Sequence, residues 1–315
     1  MNKTFSPPTT IQSSLNFISS LQLANGGFAS FPGEEATSHA TAWGILMLSA
    51  FHGDRNACTQ GRSFLASQQT EDGRIGITPD HPEASWPTPL ALLAWMGDST
   101  FQEAQGKATH FLLNFTGYHF PNPDPHIVGH DTAIRGWPWI AHTHSWVIPT
   151  ALTIMALRTA GQENHERVLE GQDMLLNRQL DQGGWNYGST KVFGRPTPPL
   201  PESTAVALHA LAGHVPQQQI AHSLEYLIGE LPRLKTPLSL GWSLLALGAW
   251  GDKPSQSAKW ILESLQLQQK YGPYALPSLA LLALAEQAPS GLTLALKSSR
   301  SHPRPFPDEI RKGTI

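Results

Sequence analysis

The chain has 315 residues, 14% charged and 40% hydrophobic, with 21 Lys and Arg against 24 Asp and Glu and a formal net charge of −3. Its basic residues are scattered, which leaves no positive stripe to neutralise phosphates and excludes nucleic-acid binding. One cysteine, Cys58, excludes an intramolecular disulfide framework and any multi-thiolate zinc site, and so little charge on so apolar a chain implies a large enclosed core or a cavity.

The opening stretch, MNKTFSPPTTIQSSLNF, has no apolar run ending in a small-residue cleavage site, and no stretch of about eighteen apolar residues occurs anywhere. A soluble, cytoplasmic protein is predicted. A turn signal follows, QLANGGF from Gln22, and leads to an apolar helix, TAWGILML from Thr41. Both elements then recur. The turn, Q-x-x-x-G-x-apolar, returns as QTEDGRI from Gln69, QLDQGGW from Gln179 and QQKYGPY from Gln268. Each ends an amphipathic helix, because glycine takes left-handed backbone angles without a Cβ penalty. The apolar helix returns from Thr88, Thr150 and Thr204, and more loosely from Leu240 and Pro277. Repeats three and five lack the glutamine.

Helices that are apolar nearly all round are buried on most sides, whereas the amphipathic ones face solvent. Six such pairs suit a closed ring with no uncapped end, an all-α (α/α)6 toroid of six inner and six outer helices. An open helical solenoid or two bundles are the alternatives. Nothing alternates with period two over several segments, so no sheet is expected. The toroid is assigned residues 1–287, and residues 288–315 form a C-terminal extension whose last portion is expected as a surface tail.

The inner-helix motifs start 47, 62, 54, 36 and 37 residues apart. The two longest gaps hold residues 118–146, rich in His and Trp, and a Pro-rich loop from Asn186 to Pro201. Long loops in a compact domain are functional or disordered.

The Q-x-x-x-G-x-aromatic turns and T-A-x-x-x-x-A-L helices resemble the terpene cyclase and protein prenyltransferase superfamily, with its squalene-hopene cyclase-like, prenyltransferase and squalene oxidase repeats. The resemblance covers roughly residues 11–287. It implies a central cavity that binds isoprenoid chains or folds them into rings. In class II cyclases a D-x-D-D-T-A motif opens an inner helix, and its central aspartate protonates an alkene. Here Leu200, Pro201, Glu202, Ser203, Thr204 and Ala205 occupy that motif, so Glu202 holds the donor position without the two supporting aspartates. A lone glutamate in an apolar cavity is a weak acid. Protonation of an epoxide or a leaving oxygen is the easier task. The zinc ligands of prenyltransferases, the thioester motif of complement-like toroids and an Asp-rich diphosphate motif are all absent, and no metal or cofactor is expected.

Two residues before each inner-helix motif stand His39, Trp86, Ile148, Glu202, Leu238 and Ala275, which equivalent repeats would place at one level near a cavity mouth. Catalytic candidates are Glu202 with Asp131 and His130, histidine beside a carboxylate titrating near neutrality. For Asp131 a salt bridge with Arg135, four residues on, is the favoured reading, and the acid-base pair with His130 is the second. His39, Trp86, Trp137, Trp139, Trp146, Trp185 and Tyr187 are the candidate substrate wall, since aromatic faces stabilise cations. His130, Asp131, His142 and His144 could bind a metal only on extended backbone, and hydrogen bonding to the backbone is the favoured role for these loop histidines. The implied ligand is an apolar small molecule, isoprenoid or lipid, turned over by an isomerase or lyase activity, with peripheral membrane contact as an accompanying expectation. Two alternatives stay open. One is a non-catalytic lipid- or isoprenoid-binding toroid. The other is a carbohydrate-active hydrolase of this architecture, pairing Glu202 with Asp131 or Glu83.

Overall fold

The structure, a computed structural model, describes residues 7–121, 128–294 and 296. Among these, twelve principal helices alternate between two shells. The outer helices are α1 (Ile11–Ser20), α3 (Arg55–Ser67), α5 (Gln102–Asn114), α7 (Glu166–Asn177), α9 (Ala221–Glu230) and α11 (Ser257–Gln266). The inner ones are α2 (Ser38–Ala50), α4 (Pro87–Trp95), α6 (Val147–Thr159), α8 (Pro201–Leu211), α10 (Pro237–Ala249) and α12 (Leu276–Gln287). Inner helices contact one another in chain order, and α12 returns to α2, so the ring closes. The chain is a single (α/α)6 toroid. Named strands among the described residues are confined to a hairpin pairing Lys191–Val192 with Arg195–Pro196, at the tip of the Pro-rich loop.

Burial follows the sequence pattern. In α2, 11 of 13 residues are buried, against five of 13 in α3, which shows one outer face to water. Helix starts are specified locally. Thr37 caps α2, Asp54 caps α3, and proline in the first turn opens α4, α8, α10 and α12, where its missing N–H costs no helical bond. No described helix is long and apolar enough to cross a membrane.

Both halves of the repeat motif have a physical role. The threonine that opens each of the first four inner motifs accepts the backbone N–H of the apolar residue that ends the preceding turn. The pairs are Phe28 to Thr41 (2.8 Å), and Ile75 to Thr88, Trp137 to Thr150 and Trp185 to Thr204 (2.9 Å each). In the last three the hydroxyl also donates to that residue's carbonyl. In the sixth repeat, which lacks the threonine, Gln268 Oε1 accepts the equivalent N–H of Tyr274. The turn glutamines bind outward instead. Gln22 and Gln69 donate to the carbonyls of Ala57 and Ala104, on the next outer helix, and Gln179 donates to Ser223 of α9. The turn glycines lie against the same helix with φ of +86° (Gly26), +94° (Gly73) and +86° (Gly183), and a Cβ on Gly73 would stand 2.1 Å from the Lys107 carbonyl oxygen.

The axis of the ring is filled. Trp43 of α2 meets Trp242 of α10 edge-on at 5.8 Å between ring centroids, across the interior from a helix that is not its neighbour. His209 of α8 meets Trp242 at 6.2 Å. Beyond α12 the chain stays on the toroid. Ala288 and Leu292 are buried, and the Leu292 N–H donates to His209 Nε2 at 2.9 Å. The expected surface tail lies outside the described residues.

Replacing Thr204 by Val keeps the volume but orphans the buried N–H of Trp185, whose carbonyl keeps the Leu200 N–H, and should cost about 1–3 kcal/mol in urea unfolding, while Thr204→Ser retains most of the stability. Burial holds the His209 pKa down to about 4, whereas in the unfolded chain it titrates near about 6.5. Between those values the unfolded state binds the extra proton, so stability present above the unfolded pKa is lost as pH falls towards the folded one. Thermal midpoints across that window should drop on acidification, and His209→Gln should show a shallower drop; an equal slope in the variant would discount His209.

Candidate functional site

At one end of the ring the starts of the inner helices surround a mouth. His39 of α2 packs edge-on against Trp86, which caps α4, with ring centroids 4.5 Å apart. Ser239 Oγ of α10 donates to Glu202 Oε2 of α8 at 3.0 Å. Neighbouring inner helices therefore start together. None of the six expected mouth positions, His39, Trp86, Ile148, Glu202, Leu238 and Ala275, is fully buried. Here the ring meets solvent.

The inward faces follow from helical spacing. His39 and Trp43 lie one turn apart on α2, Ser239 and Trp242 one turn apart on α10, and Glu202 and His209 two turns apart on α8. Trp43, Trp242 and His209 meet on the axis, so His39, Ser239 and Glu202 stand above them on the same inner faces. The result is a cup floored by Trp43 and Trp242. Trp139 joins its wall through Trp86, at 5.7 Å and a steep interplanar angle of 79°. In a ring of six, α2 and α8 lie opposite each other. The starts of α2 and α8, which carry His39 and Glu202, thus lie on opposite sides of the mouth.

The electrostatics of the cup are unusual for its polar groups. The Trp43 indole N–H can only donate, and it donates to His39 Nε2 at 2.9 Å, which assigns the His39 proton to Nδ1. Burial holds the His39 pKa down to about 4, so the ring is neutral at ordinary pH. Glu202 forms no ion pair among the described residues. Among the described residues its carboxylate accepts only the Ser239 hydroxyl, while it and Glu230, after burial, help to push the nearby Tyr226 up to about 12.

Several expected wall residues belong elsewhere. Trp137 and Trp185 are core, 1% and 0% exposed, each donating its indole N–H to an outer-helix carbonyl, Leu112 and Leu175. They fill the turn position that Phe28 and Ile75 fill in the first two repeats, which is why they face inward between the shells. Trp137 also carries the Arg167 guanidinium 4.4 Å above its ring. Tyr187 is 54% exposed, and its carbonyl accepts the Val147 N–H that begins α6. Trp146 and His130 line a second pocket, on the rim between the two long loops.

Asp131 and Arg135 do not pair. Arg135 Nε binds Glu170 Oε1 of α7 at 2.7 Å, and Arg167 binds Oε2 of the same carboxylate at 2.7 Å. Asp131 stands six residues before Trp137, the place that glutamine holds in other turns. Its Oδ1 accepts the Ala133 N–H at 2.8 Å, and its own N–H donates to Asn177 at 2.9 Å. No hydrogen bond joins it to Glu202 among the described residues. Glu83 is exposed and paired with Arg74 at 3.1 Å. His142 and His144 are exposed, and no three of the described His, Cys, Asp and Glu residues gather to hold a metal ion.

Sequence reasoning missed Ser239, Trp43 and Arg178. Ser239 and Trp43 stand on helices whose apolar pattern hides which face meets the axis. Arg178 ends an outer helix, where a charged residue reads as exposed.

No known protein-family profile and no curated protein sequence matches the chain. Solved structures do. The type II terpene cyclase MstE from Scytonema, in a substituted form complexed with geranylgeranyl dihydroxybenzoate, aligns over 91% of this chain and 97% of its own at 16% identity and a TM-score of 0.58. A further MstE structure, with merosterolic acid A, aligns over 89% and 97% at 14% identity and a TM-score of 0.57. An alpha-amylase from Clostridium perfringens aligns over 90% and 99% at 10% identity and a TM-score of 0.59. The chain therefore has the closed double-ring fold of the type II terpene cyclases, a fold that the amylase shares.

Proposed function

We propose that the cup binds an apolar, isoprenoid-type ligand and that Glu202 donates a proton to it, starting a cyclisation or isomerisation. The observation that carries this reading is the half-buried aromatic cluster of His39, Trp86 and Trp139 at the mouth, together with a carboxyl at the start of the opposite inner helix α8 that has a hydroxyl donor but no ion pair among the described residues. Aromatic faces stabilise a carbocation by their quadrupoles, and a carboxyl is a proton donor of the kind general-acid catalysis uses. MstE, complexed with a geranylgeranyl compound, adds fold-level support.

The proton goes to an oxygen function rather than to an alkene. Alkene protonation needs a strong acid, and a single serine hydroxyl stabilises too little of the conjugate base to make one. Transfer from Glu202 to an epoxide oxygen breaks a C–O bond, leaves a hydroxyl and places the cation on carbon, where the aromatic wall faces it. A neighbouring alkene then supplies its electron pair, and the last cation loses a proton to a carboxylate or water. His39 Nδ1–H, which has no partner among the described residues, suits a second oxygen on the ligand. None of the six mouth positions carries a cation, so a diphosphate has no counter-charge there.

The rim of the mouth also supports peripheral contact with a lipid surface. Tyr118, Ile140, Tyr187 and Leu238 are exposed, and Phe193 at the hairpin tip is 93% exposed.

Purified protein incubated with squalene, oxidosqualene and prenyl diphosphates should convert the epoxide alone, read by mass spectrometry. Glu202→Gln should lower that rate by at least about a hundredfold, the usual range for a lost general acid. Retention of isoprenoid by both proteins without product would support the non-catalytic toroid; conversion undiminished in the variant would remove Glu202 from the chemistry. Phe193→Ser should reduce co-sedimentation with phosphatidylcholine vesicles.

A further inference from the structure

A second pocket, of about 200 Å³, lies on the rim between the two long loops. Its walls include Tyr118, Phe120 and Trp146, with His130 and Arg178 among its polar groups. It shares no lining residue with the cup. By liquid volume it has room for about six or seven waters, the size of a small organic acid.

Arg178 is the feature that calls for a ligand. The residue is only 7% exposed. Its Nη1 donates to the carbonyls of Ser145 (2.9 Å) and Gly188 (3.3 Å), one from each loop. Nε is buried with no partner, and Nη2 has none among the described residues. The edge of the guanidinium that carries no acceptor is the Nε–Nη2 fork, whose geometry matches a carboxylate, with Nε itself enclosed and Nη2 the atom a ligand meets first.

The other buried or half-buried arginines are better satisfied, although the Arg158 Nε, like that of Arg178, is buried without a partner. Arg167 has Glu170 at 2.7 Å, and Arg62 has Asp98 at 3.4 Å. Arg158 has no carboxylate, but its two terminal nitrogens reach the Ala210 carbonyl and Gln172 Oε1. Arg178 has neither a carboxylate within ion-pair distance among the described residues nor a full set of neutral acceptors. Asp131, the acid that acts on it from further away, is held by Ala133. Burial lowers Arg178 to about 10, which leaves it charged at neutral pH. Burial, with Arg178 beside it, holds His130 down to about 4, so His130 adds no second charge. A desolvated cation without a counter-ion is destabilising.

We propose that this rim pocket is a binding site for a small, flat carboxylate, gripped by the free edge of Arg178 and enclosed by Tyr118, Phe120 and Trp146. It is independent of the reaction proposed for the cup.

Benzoate is the probe, and benzamide is its neutral counterpart of the same shape. Calorimetry on the full chain should give one saturable benzoate site, with benzamide weaker by at least about tenfold, as expected for loss of a charge-assisted fork. Arg178→Lys, which keeps the charge and loses the fork, should weaken benzoate by about tenfold, and Arg178→Met should abolish binding. Should Arg178→Met unfold, because Nη1 ties both loops, Ser189→Phe tests the site by filling it without touching Arg178, and benzoate should no longer bind. No benzoate binding at millimolar concentration, equal affinity for benzamide, or unchanged binding in folded Arg178→Met or Ser189→Phe would each overturn the proposal.

Discussion

The toroid depends on a threonine hydroxyl. In four of the six repeats it accepts the backbone N–H of the residue that ends the preceding turn, deep between the two helical shells. That residue is large and apolar, so its side chain must be buried, and burying it drags a peptide group out of water. One hydroxyl at the start of the inner helix satisfies that group and fixes the height at which turn and helix meet. The turn glutamine then fastens the same turn to the next outer helix. Ring closure follows from repeating two short-range contacts, and the aromatic plug of Trp43 and Trp242 fills what the ring leaves at its centre.

Most of this was legible because the repeat is written in residue types with single roles. Threonine, glutamine and glycine at fixed offsets mark a turn, and all-round apolarity marks an inner helix. His39 and Trp86 were placed at the mouth by register, since equivalent positions in equivalent helices must lie at one level, and Glu202 by register together with the resemblance of residues 200–205 to D-x-D-D-T-A. The tryptophans of the long loop were not separable in this way. Trp137 follows Gly136 as Phe28 follows Gly27, and an insertion ahead of it disguises it as a loop residue, although its partner is Thr150. Asp131 and Arg135 were misread for the same reason. Their spacing of four suits a helix, but the segment is a turn, and Arg135 reaches across to Glu170. The sequence contains no sign of Ser239 as a partner of Glu202, because that contact joins two repeats.

The polar groups of the cup and of the rim pocket obey opposite logic. In the cup, histidine is neutral, the carboxyl is unpaired and the wall is aromatic. The cup offers hydrogen bonds and polarisable surface but no fixed positive charge. On the rim a full positive charge is buried beside aromatic rings, with no carboxylate within ion-pair distance among the described residues. Two such environments within one mouth suit separate ligands, an apolar one towards the axis and an anionic one at the rim.

The threonine contact also explains why extra chain collects where it does. In the first three repeats the threonine lies 13 residues after its turn partner, and in the fourth 19 residues after it. Both ends of that loop are fixed, so lengthening it perturbs neither the turn nor the helix. The added closure entropy is only about 0.3 kcal/mol for such a change. The other insertion enters ahead of Trp137, which still reaches Thr150. Both extra segments therefore emerge at the same edge, beside the starts of α6 and α8, and Arg178 reaches a carbonyl in each. A regular six-fold ring has no such pocket. The anchored turns let the chain build one on its rim without loosening the ring beneath it.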